Sequence, residues 1–219
     1  MAALNVFSCS EPGGHAQNED AIEVRQHPND PDCSLCAVAD GQGGRSGGAA
    51  AAQTACRVCM ASALLYRRKQ LLLPGVWIEI LGKADRIVGK EPEAGFTSLL
   101  AFCATAHHLA GASSGDSALV VGSANGSPTI LTARQLKNPP VGSGAATGVG
   151  FTAKLTSPWT VVAMTDGVWK YAGWEAVFKA LAERKGQDIM DTLREGARLR
   201  QSGAFQDDFT LVVLQTENP

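Results

Sequence analysis

The stretch 35–52, LCAVADGQGGRSGGAAAA, decides the fold: an apolar run stops at Asp40, five glycines follow within eight residues, and an alanine-rich run begins. Read as strand, sharp turn and helix, it delivers Asp40 at a strand end. The competing reading is a glycine loop that cradles a phosphate on backbone amides. It fails on spacing, because in GQGGRS Ser46 stands where GxGxxG needs its last glycine, and no GK[ST] follows. The glycines turn the chain and aim Asp40.

Working outward, DAIEVRQ (20–26) and SLCAVAD (34–40) predict a hairpin across HPNDPD (27–32), whose prolines and Asn/Asp suit a turn. Downstream, strong helix formers from Gly47 to about Leu73 predict one long helix, and GVWIEILGKADRIVGK (75–90) continues in helical rhythm. Residues 95–133 break into β-type runs divided by Gly, Ser and Asn. Pro139, Pro140 and VGSGAATGVG (141–150) predict a mobile loop before a strand pair, FTAKLTS (151–157) and WTVVAMTDG (159–167). Two helices fit 173–186 and 187–203, and FTLVVLQ (209–215) closes as a strand. Blocks segregated in this way predict an α+β fold with sheets packed together and helices outside.

Composition bounds the function. At 219 residues and 45% hydrophobic the chain can bury a sizeable core, and it is read as one domain, 1–219. A net charge of −2 gathers neither nucleic acid nor an anionic membrane, so neither is an expected partner. The start MAALNVFSCSEPGG has no basic segment leading an apolar one, and no apolar run approaches the roughly 20 residues of a span, so the expected location is cytoplasmic. Six cysteines are then expected as thiols. Two CxxC pairs, Cys33/Cys36 and Cys56/Cys59, are 19 residues apart and match a four-thiolate zinc pattern, whereas burial of the same thiols on a strand and an Ala-rich helix is the simpler reading.

The chemistry sits in carboxylates beside strands: Glu19 and Asp20 in NEDA, Asp40 in VADGQGG, Asp116 in SGDSALVV, Asp166 in MTDGVW, Asp207 and Asp208 in FQDDFTLVVL. Any one Asp-Gly is adequately explained as a turn. Brought together, though, these groups cannot all stay ionised without cations, and an all-oxygen set favours Mg²⁺ or Mn²⁺ over zinc. Two such ions about 4 Å apart hold and acidify a water for attack on phosphorus.

The ordered set NEDA, VADGQGG, GFTSLL, SGDSALVV, MTDGVW and DDFTLVVL resembles the PP2C (PPM) family of metal-dependent Ser/Thr protein phosphatases, along nearly the whole chain. The resemblance implies a four-layer α-β-β-α sandwich, two antiparallel sheets flanked by helix pairs, with a Mn²⁺/Mg²⁺ pair at one end. It implies that Asp40 bridges both ions, that the Gly41 carbonyl and Glu19 serve one of them, and that Asp20 holds water on it. Asp166 and Asp207 then serve the other ion, with Asp208 supporting them and Asp116 marking a weaker third-ion site of some members. The implied reaction is one-step hydrolysis of phosphoserine or phosphothreonine in a protein, opposing a Ser/Thr kinase, by water held between two ions.

The chain departs from that pattern in three places. His15 stands where the family has a phosphate-gripping Arg, which gives His15 and Arg45 as candidate phosphate-binding residues and His15 as candidate acid. Gln42 fills the DGHGG or DGMGG position and cannot titrate. Ala118 replaces the Arg of GDSR, and only 49 residues separate Asp116 from Asp166, which implies a shortened flap at about 133–150. The lost Arg leaves an alternative function, a catalytically weak phosphoprotein-binding or regulatory module; the zinc pattern leaves a zinc-stabilised interaction domain. Trp159, Trp169 and Trp174 are expected as core or sheet-edge residues.

Overall fold

A computed structural model describes residues 4–14, 17–42, 47–123 and 126–216. Its chain order is β1 (Leu4–Glu11), β2 (Asp20–His27), β3 (Asp30–Asp40), α1 (Gly48–Ala63), α2 (Arg68–Leu71), α3 (Pro74–Val88), β4 (Leu99–Ala104), β5 (His108–Ser114), β6 (Ala118–Ser123), β7 (Gly126–Ile130), β8 (Val149–Lys154), β9 (Trp159–Met164), α4 (Asp166–Ala172), α5 (Trp174–Glu183), α6 (Gln187–Ala197) and β10 (Phe209–Thr216). The strands form two antiparallel five-stranded sheets, β1-β10-β9-β6-β7 and β2-β3-β4-β5-β8.

Alternation along the strands builds three apolar layers. Cys36, Val38, Phe102, Leu119, Val161 and Val212 meet between the sheets, with Trp159. On the outer face of the β2–β8 sheet, Leu35, Ala37 and Cys103 pack under Ala52, Met60, Trp77 and Leu81 of α1 and α3. On the outer face of the other sheet, Val162, Leu211 and Val213 pack under Val177, Ile189 and Leu193 of α5 and α6. The small side chains on the inner face of α1, Ala51, Ala52 and Ala55, let that helix lie close to its sheet. The result is the four-layer sandwich expected of the fold.

Several local expectations change. The long helix predicted for 47–73 ends at Ala63, and α3 starts separately at Pro74, where a missing N–H costs nothing. Tertiary packing overrides propensity here: Leu71 is buried, and the Trp77 indole N–H donates to its carbonyl at 2.7 Å. The hairpin turn is tighter than HPNDPD, because β2 runs to His27 and β3 starts at Asp30. The runs 151–157 and 159–167 do not pair: β8 is an edge of one sheet and β9 is central in the other. Neither β1 nor α4 was anticipated, since β1 alternates weakly and α4 is a single short helix hidden behind an Asp-Gly read as a turn.

The CxxC pairs do not converge. In β3 an odd spacing sends Cys33 to the helix-covered face and Cys36 between the sheets, while Cys56 and Cys59 are buried on α1, and all are free thiols. Among the described residues no three cysteines come within metal-ligating distance of one another, which overturns the zinc reading.

The segment between β7 and β8, expected to be mobile, is tied down. Asp85 of α3, 3% exposed, accepts the backbone N–H groups of Gly142 and Gly144 on Oδ1 (2.7 and 3.0 Å) and of Ala146 on Oδ2 (3.1 Å). Val141 also exchanges backbone hydrogen bonds with Thr97, both at 3.0 Å. Asp85→Ala strands these three donors and should cost about 3 kcal/mol. Urea unfolding measures that loss, and hydrogen exchange should rise first at 142–146; an unchanged midpoint would show the anchor to be idle.

Candidate metal centre

Asp40 ends β3 beside the entry to β4, and its backbone is clamped from that side. Ser98 N–H and Thr97 Oγ1–H both donate to the Asp40 carbonyl at 2.8 Å, and Asp40 N–H donates to Ser98 Oγ at 3.1 Å. Ser98 Oγ also shares a 2.8 Å hydrogen bond with Ser117 Oγ, joining this clamp to the turn that carries Asp116. The hydroxyls of GFTSLL and GDS thereby fix two carboxylates relative to each other.

Both Asp-Gly pairs are close-approach sites. A Cβ on Gly41 would lie 2.5 Å from the Gly48 backbone and 2.6 Å from the Glu19 carbonyl oxygen, which accepts the Gly41 N–H at 3.1 Å. A Cβ on Gly167 would lie 2.0 Å from the Asp208 carbonyl oxygen. Only glycine lets the start of α1 press against the β1–β2 connection, and the start of α4 against the approach to β10. Those contacts draw Glu19, Asp40, Asp166, Asp207 and Asp208 to one end of the sandwich.

There they line a cavity of about 390 Å³, together with Gly41, Gln42, Thr97, Ser98, Asp116 and Lys137. Ligand oxygens of Asp40, Asp116 and Asp166 all lie within 4.8 Å of one another. Asp208 supports rather than lines alone: Oδ1 accepts Gly13 N–H at 2.8 Å and Oδ2 accepts Glu19 N–H at 2.6 Å, which pins the segment bearing Glu19. Asp207 Oδ1 accepts Asp208 N–H at 3.0 Å. Asp20 lies behind the cavity, 8% exposed, opposite Asp40 in the β2–β3 register, and accepts Thr165 Oγ1–H at 2.8 Å. His15 and Arg45 lie outside the described residues.

Electrostatics confirm crowding. Burial, then the charges of Asp20, Asp166, Asp116 and Asp207, push the Asp40 carboxyl up to about 9. Burial raises Asp20 to about 7 despite hydroxyl donors from Thr210 and Thr165, and burial raises Asp166 despite its Lys170 partner. Such groups hold protons unless cations replace them. The donors are all oxygen, convergent and short of positive charge, which fits hard divalent ions.

Two lysines escaped the sequence reading. Lys170 contacts Asp166 across one turn of α4, an i,i+4 spacing that becomes legible once α4 is known to start at Asp166. Lys137 pairs with Asp116 from the β7–β8 connection, and nothing in the linear sequence marks that approach. The roles of Thr97 and Ser98 were also missed, although their motif was noted.

Asp208→Ala removes the acceptor of two backbone donors while leaving every other cavity carboxylate in place. It should weaken divalent-ion affinity about 10- to 100-fold. Titration calorimetry with Mn²⁺ reads this directly, and an affinity within twofold of the parent would remove Asp208 from its supporting role.

A family model described as Protein phosphatase 2C matches residues 13–201. The catalytic domain of the serine threonine protein phosphatase PstP, solved in complex with two manganese ions, superposes with a TM-score of 0.81 at 18% identity, covering 100% of both chains. A serine/threonine phosphatase of S. agalactiae gives 0.78 at 14% identity, covering 98% of this chain and 100% of that one. RsbX in complex with magnesium gives 0.75 at 14% identity, covering 98% and 96%. These likenesses concern the fold. Comparison with curated protein sequences gives no significant match.

Proposed function

The chain belongs to the protein phosphatase 2C family, and from that membership we propose that it hydrolyses phosphoserine and phosphothreonine in protein substrates with a pair of Mn²⁺ or Mg²⁺ ions. The observation that carries this reading is the convergence of Asp40, Asp116 and Asp166 oxygens within 4.8 Å, in a cavity also lined by Glu19 and Asp207. Membership alone would be compatible with a chain that has lost its ligands; the intact set speaks against a pure binding module.

The residues that would hold such ions are Asp40, which would serve both, with Glu19 and the Gly41 carbonyl for one and Asp166 and Asp207 for the other. When bound, the ions supply Lewis acidity toward the phosphoryl oxygens and lower the pKa of an attacking water. The remaining work belongs to the chain. Thr97 and Ser98 hold the Asp40 backbone so that its carboxylate stays at the cavity floor. Asp208 holds Glu19 through its backbone. Thr165 steadies Asp20 behind Asp40. Gln42 lines the cavity and can orient by hydrogen bonding but cannot supply a proton. Protonation of the leaving serine or threonine oxygen is assigned to His15 or water, and phosphate binding to His15 and Arg45, as in the sequence expectation.

The chain is read as one unit over 1–219 with a short flap near 133–150, and its phosphatase activity is tested by assay with p-nitrophenyl phosphate and a phosphopeptide panel. Turnover should require Mn²⁺ or Mg²⁺ and stop with chelator. Phosphopeptide binding without turnover at saturating Mn²⁺ would favour the regulatory-module alternative.

A further inference from the structure

Beside the acidic cavity lies a second one of about 280 Å³, and Gly115, Asp116 and Lys137 line both. One side of it is of the opposite character, with Trp169, Trp174 and Ile130, each only partly buried, beside Ala118, while Thr132, Ala133 and Gln135 complete the lining. Trp169 and Trp174 are stacked, with centroids 5.4 Å apart and planes 16° from parallel. Both pack against the core, as expected of core or sheet-edge residues, and also line this cavity, while Trp159 is fully core, at 2% exposure. Trp169 also ties the two cavities together, since its indole N–H donates to the Asp116 carbonyl at 3.1 Å. Between the lining residues Gln135 and Lys137, Leu136 is 48% exposed, and its carbonyl accepts Gly115 N–H at 2.8 Å.

We propose that this aromatic groove binds a large apolar side chain of the substrate polypeptide, close in sequence to the phosphorylated residue. The inference rests on the phosphoprotein reading above. Its physical basis is continuity: a phosphoryl group in the acidic cavity leaves its polypeptide running out over residues 115–116 and Lys137, and one exit leads along the two tryptophans. An apolar side chain gains there what it loses in water, and flat aromatic faces give area at small entropic cost. In such a pocket a single methylene is worth about 10- to 200-fold in discrimination.

The experiment is a set of phosphoserine peptides of polyalanine background in which one Phe is moved through every position from three before to three after the phosphoserine. One position should raise kcat/KM about tenfold or more over the all-Ala peptide, through KM with kcat unchanged. Trp174→Ala and, as a milder change, Ile130→Ala should reduce that preference to under about twofold and leave p-nitrophenyl phosphate turnover at the parental rate, which also certifies folding. Equal kcat/KM for all peptides, or a preference that survives both substitutions, overturns the proposal alone. If p-nitrophenyl phosphate is hydrolysed and no peptide is, the protein-substrate reading falls and the proposal with it. A dimer in sedimentation velocity that both substitutions dissociate, with flat peptide dependence, would assign the groove to a second copy instead and overturn the proposal.

Discussion

Asp40→Asn is expected to lower turnover of p-nitrophenyl phosphate about 10³-fold at saturating Mn²⁺, the rate equivalent of about 4 kcal/mol. The substitution is nearly isosteric and leaves the backbone clamp from Thr97 and Ser98 in place, so the loss belongs to the carboxylate charge rather than to the fold. Asp166→Asn should behave in the same direction, since its oxygen belongs to the same converging set. Steady-state kinetics beside a thermal melt separates the two causes. A variant that melts like the parent and retains more than a tenth of the activity would remove Asp40 from the shared position.

The second large effect concerns stability without ions. Burial and mutual repulsion raise Asp40 from 3.8 to about 9 and Asp20 from 3.8 to about 7, so the folded chain keeps protons that the unfolded chain releases. The sign follows from linkage: this contribution is fully present below about pH 4 and is lost as pH climbs through about 7 and then about 9. Chelator-treated protein should therefore melt at progressively lower temperature from pH 5 to pH 9. Divalent ions compete with those protons and should rescue most where the protein is weakest. At pH 8 and about 100 times the dissociation constant, each site adds about 2.7 kcal/mol, which for two sites in a domain of this size is roughly 10–20 °C. Differential scanning calorimetry over that pH range, with and without Mn²⁺, checks both slopes. A flat apo profile together with no Mn²⁺ shift at pH 8 would mean that the carboxylates do not share a charge problem.

What was legible in the linear chain follows from how each signal is encoded. Asp40 could be read because the apolar run before it and the glycines after it are both local, and local chemistry makes a strand end and a sharp turn. The remaining carboxylates could be placed in one family pattern because each stands beside a short strand-like run, several of them almost wholly apolar. The Ala63 stop of α1 was not legible, since nothing in LLYRRK opposes a helix and the break follows from where Leu71 and Trp77 must pack. Asp85 was hidden inside a helical rhythm, and its three loop N–H partners lie 57 to 61 residues onward. Lys137 and the tryptophan groove share that difficulty, because their meaning depends on one loop crossing the mouth of a cavity. Sequence encodes strand ends well and loop trajectories poorly, and at this site the strand ends carry the carboxylates while loops and short helices carry what surrounds them.

Most direct of all is anomalous diffraction at the manganese edge from crystals grown with Mn²⁺. Two peaks are expected at the acidic end of the sandwich, both bonded to Asp40, one also to Glu19 and the other to Asp166 and Asp207. A cavity with no anomalous peak, or a single ion that leaves Asp40 uncoordinated, would contradict the two-ion site.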